Sequence, residues 1–298
     1  MATLAVLVVL IWRLGTGPFI GGLEAVDGRA LLAAGAIGFV TTLCCAWRWT
    51  VVARGLGLHL PLRAAVAAYY RALFLNLTLP TGIAGDVHRG LSHGRDAHDV
   101  GRGLRAVGWE RGAGQVVQVV LTVAVLLILP SPVRSSMPFI ALAAVALALA
   151  AVLLGRLRGR GSRWTRIRNA VVTDIRAGVL RRDALPTIVL TTTVAVVGYA
   201  VLFLVAARTV GVTAPISRLL PLALLAVLAM VLPSVAGWGP REGATAWVFA
   251  AAGLGAAQGA ATAVAYGVLA LAAFLPGALV LVAGWLPRAR LPEGATDG

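Results

Sequence analysis

The feature that most limits this chain is a succession of apolar stretches, each approaching or exceeding the roughly 20 residues that span a hydrocarbon core. They fall at about 1–14, 29–54, 63–85, 104–130, 137–155, 185–208, 216–238, 243–257 and 259–286. A water-soluble core of this size does not need so many in succession. Lipid offers no hydrogen bonds to a bare backbone, so stretches of this length read as helices. The expected fold class is all-α: a polytopic membrane protein with about 7–8 transmembrane helices. Composition agrees, at 59% hydrophobic and 12% charged residues, against roughly 45–50% and 25% in ordinary soluble domains.

The net charge of +15 is carried by arginine, since the chain contains no lysine. The arginines are concentrated in the connections between apolar stretches, where they report which loops stay in the cytoplasm. That distribution points to a multi-pass protein of the cytoplasmic membrane and away from nucleic acid. The most basic connection, 156–183, places Ile167, Val171, Val172, Ile175 and Val179 on one helical face, as in a helix lying on a membrane surface. Arg48, Arg54 and Arg63 before the stretch 63–85, and Arg89, Arg95, Arg102, Arg105 and Arg111 after it, read as cytoplasmic flanks. The loop 131–138 carries only Arg134 and fits the outside. Adjacent Cys44 and Cys45 are the only cysteines and form neither a disulfide framework nor a metal site by themselves. The N-terminus lacks a basic region and a clear cleavage site, so it reads as a short first helix and not a removable signal.

Two stretches are interrupted. Leu79-Pro80-Thr81-Gly82-Ile83-Ala84-Gly85 ends one and Leu232-Pro233-Ser234-Val235-Ala236-Gly237-Trp238-Gly239 ends the other. Proline removes a backbone donor and breaks a helix, and irregular backbone at membrane depth is tolerated where it is buried in protein or lines a wet cavity. Both stretches are expected to be re-entrant helices. They also belong to a repeat. Residues 51–61 (VVARGLGLHLP) match 205–215 (VAARTVGVTAP) at Val51/Val205, Ala53/Ala207, Arg54/Arg208, Gly57/Gly211 and Pro61/Pro215. Three crossings between the copies would invert one relative to the other, the arrangement of many transporters. The expected organisation is a single membrane domain. It comprises an extra N-terminal helix over 1–28, a first repeat over 29–155, a basic cytoplasmic connection over 156–184, a second repeat over 185–286 and a tail over 287–298.

The candidate binding residues flank the two breaks. After the second, Pro233, Gly237, Gly239, Pro240, Arg241 and Glu242 lead into a helix expected to start at Pro240 or Arg241, since proline suits a first turn. A helix N-terminus attracts anions, Arg241 can bind phosphate bidentately, and Glu242 would neutralise Arg241 in the empty state. The duller alternative is a salt bridge that only orients the helix. Around the first break the counterparts are Asn76, Pro80, Gly82, Gly85, Asp86 and Arg89, with Asp86 and Arg89 spaced to pair across one turn. Glu110-Arg111, opening the next long helix, could join them. Glu110 reads either as a proton-taking carboxylate or as a charge favoured by the helix dipole.

His88, His93 and His98, three of the four histidines, lie beside Asp86, Asp96 and Asp99. Their five-residue spacing does not share a helical face, so a solvated, glycine-rich loop is expected and no metal. Motifs for zinc proteases, serine hydrolases, Walker nucleotide binding and dinucleotide binding are absent; no catalytic residue and no cofactor is assigned.

At Asn76, Leu79-Pro80, Gly82, Gly85-Asp86, Arg89, Glu110-Arg111 and Leu232-Pro233 through Gly237-Trp238-Gly239-Pro240-Arg241-Glu242, the chain resembles a flippase-like family of bacterial and archaeal membrane proteins. That family includes the transmembrane region of lysylphosphatidylglycerol synthase. The resemblance covers about 30–286. It implies a lipid-translocation domain with two re-entrant helices around a central cavity. In the synthase a soluble aminoacyl-transferase domain follows; this chain stops at Gly298, and that activity is not expected of it. The family's frequent company of glycosyltransferases implies a lipid-linked sugar, or a glycosyltransferase or other membrane partner. The expected function is therefore translocation of an anionic phospholipid or lipid-linked precursor. The alternatives are a non-catalytic membrane scaffold and an enzyme acting on lipid headgroups, for which the His88–His98 segment would be the foothold.

Overall fold

A computed structural model describes residues 9–79, 82–129, 162–230 and 239–285. The expected helix at 137–155, the loop 131–138, the tail 287–298 and four of the residues at the breaks (Pro80, Pro233, Gly237 and Trp238) lie outside them. Among the described residues every regular element is a helix. After a helical stretch at 9–14 come α1 (Gly17–Glu24), α2 (Gly28–Gly55), α3 (Leu62–Thr78), α4 (Ala84–Asp96), α5 (Val100–Ile128) and α6 (Ser162–Gly178). These are followed by α7 (Ala184–Thr209), α8 (Ile216–Ala229), α9 (Pro240–Ala251), α10 (Ala256–Phe274) and α11 (Pro276–Trp285). By length and apolar composition, α2, α5, α7 and the joined α10–α11 over Ala256–Ala283 can each cross a membrane. The stretch expected at 259–286 is thus broken at Leu275-Pro276. The one expected at 243–257 is a helix of 12 residues, about 18 Å long at 1.5 Å per residue.

The ends follow local chemistry. Asp27 starts α2 by accepting from the Ala30 N–H at 2.8 Å, and Asp99 starts α5 by accepting from the Arg102 N–H at 2.8 Å; side-chain acceptors of this kind satisfy the orphan donors of a first turn. The two matched sequence stretches form the same turn. Gly57 and Gly211 have φ of 77° and 86°. The Leu58 N–H donates to the Ala53 carbonyl at 2.9 Å, and the Val212 N–H to the Ala207 carbonyl at 3.0 Å. Pro61 and Pro215, each with φ −63°, then lead into α3 and α8. Positive φ is where glycine costs least, which is why glycine recurs at both turns.

The segment 63–85 is interrupted, as expected: it holds nearly all of α3 and the first residues of α4. α3 and α4 form a hairpin pinned at its break, where Asn76 accepts from the Gly85 N–H at 2.8 Å and donates to Asp86 at 3.0 Å. Gly85 lies so close to α3 that a Cβ there would sit 2.0 Å from the Ala72 carbonyl oxygen. Close approach at small residues is how helices pack where lipid offers no hydrophobic drive. Gly85→Ala is expected to lower the thermal midpoint in detergent, at a cost of about 1–3 kcal/mol. Gly108→Ala, in the open outer face of α5, should leave it unchanged or raise it, since alanine favours a helix interior by about 1 kcal/mol.

Around this hairpin, α2 packs along α7 and α3, α4 closes against α5, α9 lies against α10, and α11 against α3. One core gathers Trp49, Val52, Tyr69, Val107 and Ile188; the other gathers Phe203, Leu222, Phe249, Tyr266 and Leu269. Outward faces are apolar, with Leu32, Val120, Ile128, Leu190, Trp247 and Leu279 exposed, as suits helices bordered by lipid. The basic helix α6 is seated on the end of α2, where a Cβ on Gly55 would lie 2.3 Å from the Ala177 carbonyl oxygen. It is tied to α5 through Asp174, which accepts from Arg105 at 2.8 Å and Trp109 at 3.2 Å.

Candidate functional site

Glu110 is the hub of the first half. It lies in the interior of α5, not at its opening, so the helix-dipole reading does not apply. Its side chain is wholly buried and accepts from the Arg48 Nε at 2.8 Å, from the Arg48 Nη2, from the Tyr69 hydroxyl at 3.1 Å and from the Arg89 Nη2 at 2.6 Å. A buried carboxylate needs donors of this kind. Arg48 is no cytoplasmic flank: it is buried in α2 and also donates to the Thr192 hydroxyl on α7 at 2.9 Å. Arg89 is enclosed between aromatic rings, with its guanidinium carbon 4.6 Å from Trp49 and 4.4 Å from Tyr69; ring faces attract a guanidinium.

Asp86 is the second acceptor. It pairs with Arg89 across one turn at 2.9 Å, as the spacing predicts, and binds Arg111 at 2.6 Å. The expected group Asn76, Gly85, Asp86, Arg89, Glu110 and Arg111 is therefore assembled by α3, α4 and α5, with Gly82 beside it on the cavity wall. The histidine segment is a solvated turn only at His98, which is exposed after the end of α4 with φ 56°. His88 and His93 lie in α4, and the buried His93 ring stands edge-on to Trp49 at 5.6 Å. Among the described residues no three histidine, cysteine or acidic side chains converge on a point that could hold a metal.

In the second half, α9 starts at Pro240 as expected. Glu242 folds back to accept from the Gly239 N–H at 2.6 Å and takes the Arg241 Nε at 2.9 Å and its Nη2. Both side chains are buried. The Arg241 guanidinium carbon is 5.4 Å from the Tyr266 ring. Gly267 on α10 makes room for this guanidinium, since a Cβ there would meet Arg241 Nη2 at 2.6 Å; Gly114 on α5 does the same for Arg48, at 2.9 Å.

The two groups face one cavity of about 170 Å³. Asn76, Arg111, Gln115 and Gln118 line it from the first half, Tyr199, Arg241 and Tyr266 from the second. A smaller cavity of about 50 Å³ adjoins it at Arg111, Gln115, Gln118 and Tyr199 and extends to Cys45, Arg48, Tyr69 and Thr192. Among the described residues, Arg48, Arg89, Arg111 and Arg241 face Asp86, Glu110 and Glu242, four cations against three carboxylates. Sequence reading missed Arg48, Tyr69, Gln115, Gln118, Thr192, Tyr199 and Tyr266. Arg48 and the glutamines carried a usable signal, being polar groups inside apolar stretches.

The family described as Lysylphosphatidylglycerol synthase TM region matches residues 1–279. The chain belongs to that family. The match takes in the N-terminal 1–28 as well as both halves of the cavity, so the extra N-terminal segment is part of the family domain. No curated protein and no solved structure matches the chain.

Proposed function

We propose that this member of the family translocates an anionic phospholipid or lipid-linked precursor across the cytoplasmic membrane and is not an enzyme. The observation that carries the reading is the cavity between the halves, with Arg111 on one wall and Arg241 on the other. Both guanidiniums can take phosphate oxygens in paired hydrogen bonds, and among the described residues of the site arginines outnumber carboxylates. The lipid tails would remain in the bilayer while the headgroup crosses through the cleft. The family description names a lysyl-bearing phospholipid for the synthase, which makes a phosphatidylglycerol-type lipid the first substrate to test. A glycosyltransferase or other membrane partner would fit a lipid-linked sugar.

With this reading goes a second one, that the chain is an inverted repeat with two re-entrant hairpins, of which α3–α4 would be the first. The repeated turns at Gly57 and Gly211 fit it. So does the contact of the Cys45 Sγ with the Tyr199 hydroxyl at 3.9 Å, across 154 positions. That is the spacing of the repeat, and equivalent positions meet only near a two-fold axis. Such axes place transporter sites near the midplane.

The test is lipid translocation in proteoliposomes containing fluorescent anionic or neutral phospholipid. Wild-type protein should move the anionic lipid, and Arg241→Ala, correctly inserted, should lose about 30-fold or more, the effect of truncating one partner of a buried charge pair. Wild-type rates in Arg241→Ala would refute the assignment.

A further inference from the structure

We infer that the headgroup accepted here carries a single phosphate-type anion joined to an uncharged, hydroxyl-bearing extension, and that cationic headgroups are rejected. This rests on the translocation reading above and names its substrate class. The reason is the state of the carboxylates. Glu110 has both oxygens taken, one by Arg48 and Tyr69 and the other by Arg89. On Asp86, Arg89 holds one oxygen, while Asn76 and Arg111 share the other. Glu242 gives one oxygen to Arg241 and the other to the Gly239 N–H. The segments 80–81 and 231–238 carry no acidic residue in the sequence. Among the described residues an ammonium group entering this cleft therefore finds no open carboxylate and meets four arginines against three carboxylates, and like charges at close quarters cost several kcal/mol.

The smaller cavity fits the uncharged extension. Thr192, Tyr69 and Tyr199 present hydroxyls, Gln118 an amide and Arg48 a guanidinium already engaged with Glu110 and Thr192. Its volume of about 50 Å³ admits about four water-sized groups, room for a short polyol or one edge of a sugar. The phosphate then lies between Arg111 and Arg241 in the larger cavity, and the shared wall at Gln118 and Tyr199 joins the two compartments.

The experiment compares phosphatidylglycerol with lysylphosphatidylglycerol, matched in acyl chains and fluorescent tail label, for binding to purified protein in neutral detergent and for movement in proteoliposomes. Phosphatidylglycerol should bind at least about tenfold more tightly. Gln118→Glu places a carboxylate of nearly the same shape on the wall shared by both cavities, and Gln115→Glu does so one turn away. Either variant should shrink or reverse that preference. Equal or tighter binding of the lysyl lipid by wild type overturns the inference, as does a preference that neither glutamate variant alters. Selective binding without movement would leave this inference standing and sink translocation. Movement without selectivity would do the reverse, and failure to bind either lipid would overturn both.

Discussion

Glu110→Gln lowers the stability of the protein by about 3–5 kcal/mol, the cost of removing one partner of a buried ion pair. The side chain keeps its size, so no cavity opens. What changes is charge: Arg48 and Arg89 remain buried with their shared carboxylate gone, and a neutral amide cannot accept all the donors that Glu110 receives. Thermal unfolding in detergent, read as loss of the monodisperse peak, should show the lowest midpoint of any single polar substitution in the site. Pairing it with Arg48→Gln should recover part of the loss, because the orphaned cation is then removed as well. A double-mutant cycle isolates that coupling. A midpoint equal to wild type in Glu110→Gln would show that the cluster does not hold the helices together.

The second large effect separates folding from function at α9. Glu242→Ala removes both the carboxylate that Arg241 binds and the acceptor of the Gly239 N–H. We expect a loss of about 2–5 kcal/mol, part from the buried charge and part from the unsatisfied backbone donor. In the double variant Arg241→Ala/Glu242→Ala the charge penalty vanishes, so most stability should return. Translocation should not return with it. If the double variant moves anionic lipid at the wild-type rate, the pair serves to orient α9 and has no part in binding.

The long spans were legible because length and apolarity are local properties: α2, α5 and α7 begin and end within a few residues of their expected bounds. The first break was legible through its proline and glycines, and the start of α9 through Pro240. Other features were not. The histidine segment reads as a loop because its residues are polar, yet α4 forms there by packing Gly85 against α3 and His93 beneath Trp49. Arg48 reads as a flanking charge by its nearness to Arg54; a carboxylate 62 positions away makes it a buried partner.

By itself, then, the sequence determined that the chain is a helical membrane protein, where α3 ends and α9 begins, and which charged residues stand beside those points. Those properties follow from backbone hydrogen bonding in lipid and from the conformational limits of proline and glycine, which act over a few residues. The tertiary structure alone decided which cations meet which carboxylates, that Glu110 is a hub with no open oxygen, and that arginines from both halves face one cavity. Those facts depend on contacts between helices far apart in sequence, and pair distances of about 3 Å are fixed only when the helices pack.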